Sequence, residues 1–168
     1  LLAASLLGRI HPDTKLLLER ITAWVSRVKD EQVRLALLST SLARIRRETP
    51  ATFLTLMRNW FDPATPKMWA NAIHAVIPLI EDPSYENLPP VYNLLSPVIK
   101  VMPSIMQNDL AALINALHAA SPVETVYFLR QVVIGASSPQ LAVTIRRIVP
   151  QLPAGLQPVI LEIVRQKK

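Results

Sequence analysis

Apolar positions recur along this chain at the spacing of helices. Leu16, Leu17, Ile21, Trp24 and Val25 share one side of a helix, and Val33, Leu37, Leu38, Leu42 and Ile45, with Ser41 among them, do so in the next run. Recurrence near 3.6 residues gathers such side chains into a stripe that a neighbouring element must cover. Runs of this kind predict helices at about 1–10, 14–28, 31–47, 50–61, 66–81, 86–101, 104–119, 122–135, 139–151 and 154–166.

The starts of these runs carry their own chemistry. Thr49-Pro50, Thr65-Pro66, Ser121-Pro122 and Ser138-Pro139 each set a hydroxyl before a proline and an apolar run. That is the expected order of an N-cap oxygen and a first-turn residue that needs no amide donor. Glu124, three residues after Ser121, is placed to reach back and complete a capping box. Thr49 and Ser121 stand 72 residues apart, Thr65 and Ser138 stand 73 apart, and Met102-Pro103 falls 37 after Thr65. Extending both series backwards reaches Asp13 and Asp30, each an acceptable cap, and Trp24 and Trp60 are separated by the same 36 residues. A unit of this length carrying two helices cannot bury its apolar face alone and marks an α-solenoid.

Four prolines fall inside the runs, Pro78, Pro97, Pro150 and Pro158, and predict bent helices because each removes a backbone donor. The stretch from Asp82 to Tyr92 breaks the register and reads as the longest loop. Its two tyrosines and consecutive prolines either form a recognition surface or reset the angle between neighbouring units. No glycine-rich or low-complexity linker divides the chain, so a single domain over 1–168 is expected, with only Gln166, Lys167 and Lys168 fraying.

Composition narrows the classes. Three glycines against fifteen prolines suit helices joined by short loops better than sheets, and 51% apolar residues over 168 positions can build a sizeable core. With no cysteine there is no disulfide framework or thiolate metal site, which suits a reducing, cytoplasmic setting. The most apolar stretch, Ala70 to Ile80, is interrupted by Asn71 and His74 and falls well short of the roughly 20 residues a membrane span needs. Leu1 to Ile10 has neither the basic flank nor the small-residue site of a signal peptide. The chain begins without Met, so trimming or missing upstream residues are expected, and a terminal capping piece of a longer solenoid is one reading. A net charge of +6 admits an acidic partner.

Asp30-Glu31-Gln32-Val33-Arg34-Leu35-Ala36 resembles the start of the second helix of a HEAT repeat, with an acidic cap, then Val-Arg, then a small apolar residue. The resemblance implies an all-α fold, a HEAT-like α-α superhelix of about four antiparallel helix pairs with end helices. Trp60-Phe61-Asp62 and Lys67-Met68-Trp69-Ala70-Asn71-Ala72 are similar to segments of the HEAT-like DNA alkylation repair proteins. That resemblance implies a basic, aromatic-bearing concave face that holds damaged DNA. Asn71 departs from it, standing where an arginine commonly precedes the small residues, and the family's catalytic carboxylate is not carried onto any position here.

Trp24 and Trp60 read as gap-filling core residues. Trp69, at the position Arg34 holds one unit earlier, is the candidate for stacking on a base or a partner side chain. Arg44, Arg46 and Arg47, then Arg146 and Arg147, then Arg165, Lys167 and Lys168 form basic clusters. Helix C-termini attract such cations through the macrodipole, while stacking of units would merge them into a phosphate-binding stripe. His11, His74 and His118 are scattered, no nucleophile, phosphate-loop or zinc motif occurs, and His74 reads as a satisfied helix residue. Asp62 is the one carboxylate to test as a catalytic residue, against its reading as the turn former of Asp62-Pro63.

The expected function is that of a non-enzymatic scaffold without metal or cofactor, which binds a macromolecule, a protein first, across the concave face of its second helices. The alternative is DNA binding, with base excision as its enzymatic extension. It requires Arg34, Lys67 and Arg146 or Arg147 on one face with Trp69 and a steep salt dependence. Either way Leu37 and Ile73 are core positions, and an aspartate at one of them should unfold the chain.

Overall fold

The computed structural model describes residues 2–7, 9 and 15–166, so His11, the cap expected at Asp13, and Lys167 and Lys168 lie outside it. The chain is all-α: every regular element among the described residues is helical. Helices α1 (Leu2–Leu7), α2 (Lys15–Arg27) and α3 (Glu31–Ala36) come first, and a π-helical turn, Leu37–Ser41, joins α3 to α4 (Ala43–Glu48). Next are α5 (Pro50–Trp60) and α6 (Trp69–Ile80), the latter entered through a 3-10 turn at Pro66–Met68. Beyond the loop stand α7 (Pro89–Val101), α8 (Gln107–Ala120), α9 (Pro122–Gly135), α10 (Gln140–Ile148) and α11 (Gln157–Arg165).

The helices gather into two compact units, residues 1–85 and 86–168, whose boundary falls inside the stretch that breaks the sequence register. In the first unit the π turn packs on both α1 and α6, while Trp60 of α5 donates its indole N–H to the Thr22 hydroxyl of α2 at 3.1 Å. Alternate helices therefore lie side by side, with α3 to α4 acting as one interrupted helix. The second unit repeats the scheme: α9 sits against both α7 and α11, and α10 against α8.

Side-chain hydrogen bonds carry the same spacing. Ser41 to the Ala4 carbonyl, Arg44 to the Arg9 carbonyl, Trp60 to Thr22, Tyr92 with Thr125, and Asn115 to the Gln151 carbonyl span 37, 35, 38, 33 and 36 residues. These separations lie near the 36-residue spacing of the helix starts.

Ile21, Leu38, Leu42, Phe53, Met57 and Ile73 fill the core of the first unit, and Leu95, Ile99, Leu110, Leu113, Ile114 and Leu129 that of the second. Each contributes on the order of 1.5–3 kcal/mol through burial of its side chain. Leu37 and Ile73 are buried as expected. Both stripes are narrower than the sequence implied: Leu17, Ile21 and Val25 are covered, whereas Leu16 and Trp24 of the first and Val33 of the second face solvent.

The uninterrupted helix expected at 31–47 breaks at Leu42, where φ is −93° and ψ −2°. Its amide turns to the Thr40 carbonyl rather than serving Leu38 as in an α-helix. Ser39 sits in the π turn with its hydroxyl donating back to Leu35 O at 2.8 Å, a bond that competes with regular helix. The repair comes from Arg46, buried within the unit, which donates from Nη1 to Leu38 O at 2.7 Å and from Nη2 to Ser39 O. The guanidinium lies 5.9 Å from the Phe53 ring centroid. Burial lowers its pKa to about 10, against the pull of Asp82, so the cation persists at neutral pH. Arg46 is thus a structural cation.

Helices start where expected at Glu31, Pro50 and Pro122, whereas α7 and α11 start three residues after the expected 86 and 154, and the capping differs. Thr49, Thr65 and Ser121 hold the N-cap position without a side-chain cap bond, and the capping box expected from Ser121 and Glu124 does not form. Thr49 instead donates its hydroxyl back to Ile45 O at 3.3 Å. Asp30 does cap, its carboxylate accepting from Val33 N at 3.0 Å, and Ser138 accepts from the Gln140 amide at 3.1 Å. Pro78 and Pro97 lie inside α6 and α7. Pro150 and Pro158 fall in a terminal 3-10 turn and the first turn of α11, where a missing donor matters less.

Candidate functional site

Of the three tryptophans, Trp60 is buried as expected, while Trp24 and Trp69 occupy places opposite to those their spacing implied. Trp60 is core, 2% exposed, but Trp24 is 44% exposed and lines an apolar hollow with Ala4, Leu7, Val33 and Leu37. Trp69, the stacking candidate, is 5% exposed, and its Nε1 donates to the Asp62 carbonyl at 3.1 Å. Burial leaves neither face of this indole open for stacking, which corrects the exposure expected of Trp69. Asn71, one turn element further, is also buried, its amide 3.8 Å from Met68 Sδ.

Asp62 forms the turn. Its carboxylate accepts from Ala64 N at 2.8 Å and its carbonyl from Thr65 N at 2.9 Å, the geometry of an Asx turn. Arg34 is half-buried beside Glu31, 3.9 Å away, and its Nε lacks a hydrogen-bond partner among the described residues. Lys67 is exposed in the 3-10 turn before α6. No ion pair or hydrogen bond among the described residues joins Arg34, Lys67 and Trp69. Arg146 and Arg147 are exposed in the last turn of α10, in the other unit, where the helix dipole accommodates them.

The remaining basic cluster is divided by use. Arg44 holds Glu48 with Nε at 2.8 and 2.9 Å from its two oxygens, Arg46 is buried, and Arg47 is exposed. Asp82 has its carboxyl held below 3.8, first by the Ser84 hydroxyl at 2.6 Å, then by the Ser84 amide, with Arg47 and Arg46 adding attraction. His74 and His118 are half-buried on α6 and α8. Among the described residues no group of three or more His, Asp or Glu is placed to hold a metal ion, and no helix is long and apolar enough to cross a membrane.

The surface that gathers aromatic and apolar side chains lies elsewhere, between α7 and α9 of the second unit. Pro89 and Tyr92 on one side and Val123, Tyr127, Phe128 and Gln131 on the other line an open groove of about 540 Å³. Val123 is 82% exposed and Tyr127 66%. The floor is fixed: Tyr92 meets Phe128 with centroids 4.8 Å apart at 40°, and its hydroxyl shares a 3.2 Å hydrogen bond with fully buried Thr125. Burial raises the Tyr92 pKa, the Thr125 bond opposes this and the Glu124 carboxylate reinforces it, so the phenol stays neutral.

Tyr92 was visible as part of the irregular stretch. Val123 and Tyr127 were not singled out, although their i, i+4 spacing sets them apart from the buried set Thr125, Phe128, Leu129 and Val132 on the same helix. That second apolar face on α9 is the signal from which they were legible. Compared with known proteins, the chain matches no family model, no curated protein and no solved structure.

Proposed function

We propose that this chain is a non-enzymatic HEAT-like scaffold that binds a protein partner through the groove between α7 and α9. The partner segment is an apolar-faced helix or strand that inserts side chains between Tyr92 and Tyr127. The observation that carries the reading is the pair Val123 and Tyr127, large and exposed over a floor already held by Phe128, Tyr92 and Thr125. A preformed floor with exposed aromatic walls loses little entropy on binding, and tyrosine is enriched where few residues supply most of the affinity. The 36-residue hydrogen-bond spacing and the side-by-side packing of alternate helices support the repeat architecture. The groove belongs to the first-helix layer, so the binding face moves from the second helices, where the sequence pattern put it.

A displayed peptide library, selected on the whole chain and counter-selected on Tyr127→Asp, tests this. Enriched peptides sharing two or more spaced apolar residues, and losing about tenfold or more affinity with Tyr127→Ala, are expected. Absence of enrichment, or binding indifferent to Tyr127→Ala and Val123→Ser, would sink the reading. Both positions are exposed, so the variants should keep the parent's helicity.

A further inference from the structure

We infer that a second, chemically distinct site adjoins this groove and takes a phosphate monoester. Asn93 and Ser96 of α7 line both the apolar groove and a larger hollow of about 910 Å³ that runs on to Lys100, with Gly135 and Ser137 at the end of α9 among its opposite walls. The character of the surface changes along it. None of the residues lining the hollow is acidic, and Lys100, half-buried there, has no ion pair or hydrogen bond among the described residues.

The Lys100 ammonium lies against Gly135 at the end of α9. A Cβ at that position would lie 3.4 Å from Lys100 Nζ and 3.5 Å from Cε, ordinary contact distances that place the ammonium beside the last turn of α9. The negative end of the helix dipole there favours the cation without consuming its donors. Ser96, Ser104 and Ser137 line the same hollow, and their hydroxyls likewise have no hydrogen-bond partner among the described residues. A point-charge ammonium with dispersed hydroxyl donors suits a tetrahedral oxyanion that offers three acceptor oxygens. A planar carboxylate is better matched by the arginine fork that this hollow lacks. The volume exceeds that of a phosphate alone, and Pro97 and Met102 supply apolar wall for the carbon skeleton of an ester.

The site does not depend on the protein-partner reading, because its cation and most of its hydroxyls lie outside the apolar groove. Phenyl phosphate titrated at constant ionic strength into the whole 15N-labelled chain should give saturable shifts at the Ser104, Ser137 and Gln140 amides, with Kd on the order of 0.1–1 mM. Lys100→Met keeps the aliphatic stem and should weaken binding by about tenfold or more, and Ser104→Ala with Ser137→Ala by roughly threefold. The serine double variant carries the test if Lys100→Met loses helicity. A phosphoserine peptide with leucines spaced to reach Tyr127, binding about tenfold more tightly than phenyl phosphate, assigns the ester to a protein partner, and equal affinity assigns it to a free small molecule. Shifts that never saturate, or equal affinities for the parent and the substituted chains, overturn the inference.

Discussion

Trp60 has what a buried indole needs, apolar cover and an acceptor for its N–H in Thr22. Trp60→Ala is expected to lower unfolding free energy by about 3–5 kcal/mol and Trp60→Phe by about 1–2 kcal/mol, read from urea denaturation. Trp24→Ala, at an open position, should change stability by less than about 1 kcal/mol. The same helical spacing thus hides opposite roles, since spacing fixes direction from the helix axis but not whether a neighbour lies that way. Arg46 makes the point for charge. Arg46→Met removes the donors to Leu38 O and Ser39 O and should cost about 2–4 kcal/mol by the same measurement, although the sequence shows only one of three arginines near a helix end. For Asp82, whose folded pKa is depressed, the stabilising contribution is present above its unfolded value and fades as pH falls through the lower folded one. Ser84→Ala, which removes the first cause of that depression, should raise the carboxyl midpoint in an NMR titration.

Helix starts were legible because each depends on a few adjacent residues. Proline after a hydroxyl located α5 and α9, and Asp30 located α3. The cap chemistry was read less well: Thr49 and Ser121 leave their hydroxyls out of the cap, while the carboxylate of Asp30 is in it. Asp30→Ala should therefore cost about 1 kcal/mol, and Ser121→Ala less than about 0.5 kcal/mol, in thermal or urea unfolding. Equal losses at the two positions would show that Ser121 caps in solution. The interruption between α3 and α4 was not legible. A π turn at Leu37–Ser41 is tolerated only because Arg46 returns from the next turn to serve the displaced carbonyls, which is a cooperative outcome no local propensity encodes.

At the scale of the molecule, a net charge of +6 is expected to give duplex DNA binding at low salt that falls steeply and vanishes near physiological ionic strength, followed by fluorescence anisotropy across a salt series. Lesion preference is not expected, because Trp69 is buried and offers no open face for stacking. Tight binding with preference for an abasic-site analogue would contradict that expectation. By itself the sequence determined the all-helical class, the place of most helical segments among the described residues and much of the buried stripe. These follow from short-range chemistry, a cap, a proline, a 3.6-residue recurrence, repeated often enough to be read. Tertiary structure alone decided which tryptophan is exposed, which arginine is buried, and that Lys100 lines open surface. Burial depends on which helix stands opposite, and residues far apart in the chain settle that together.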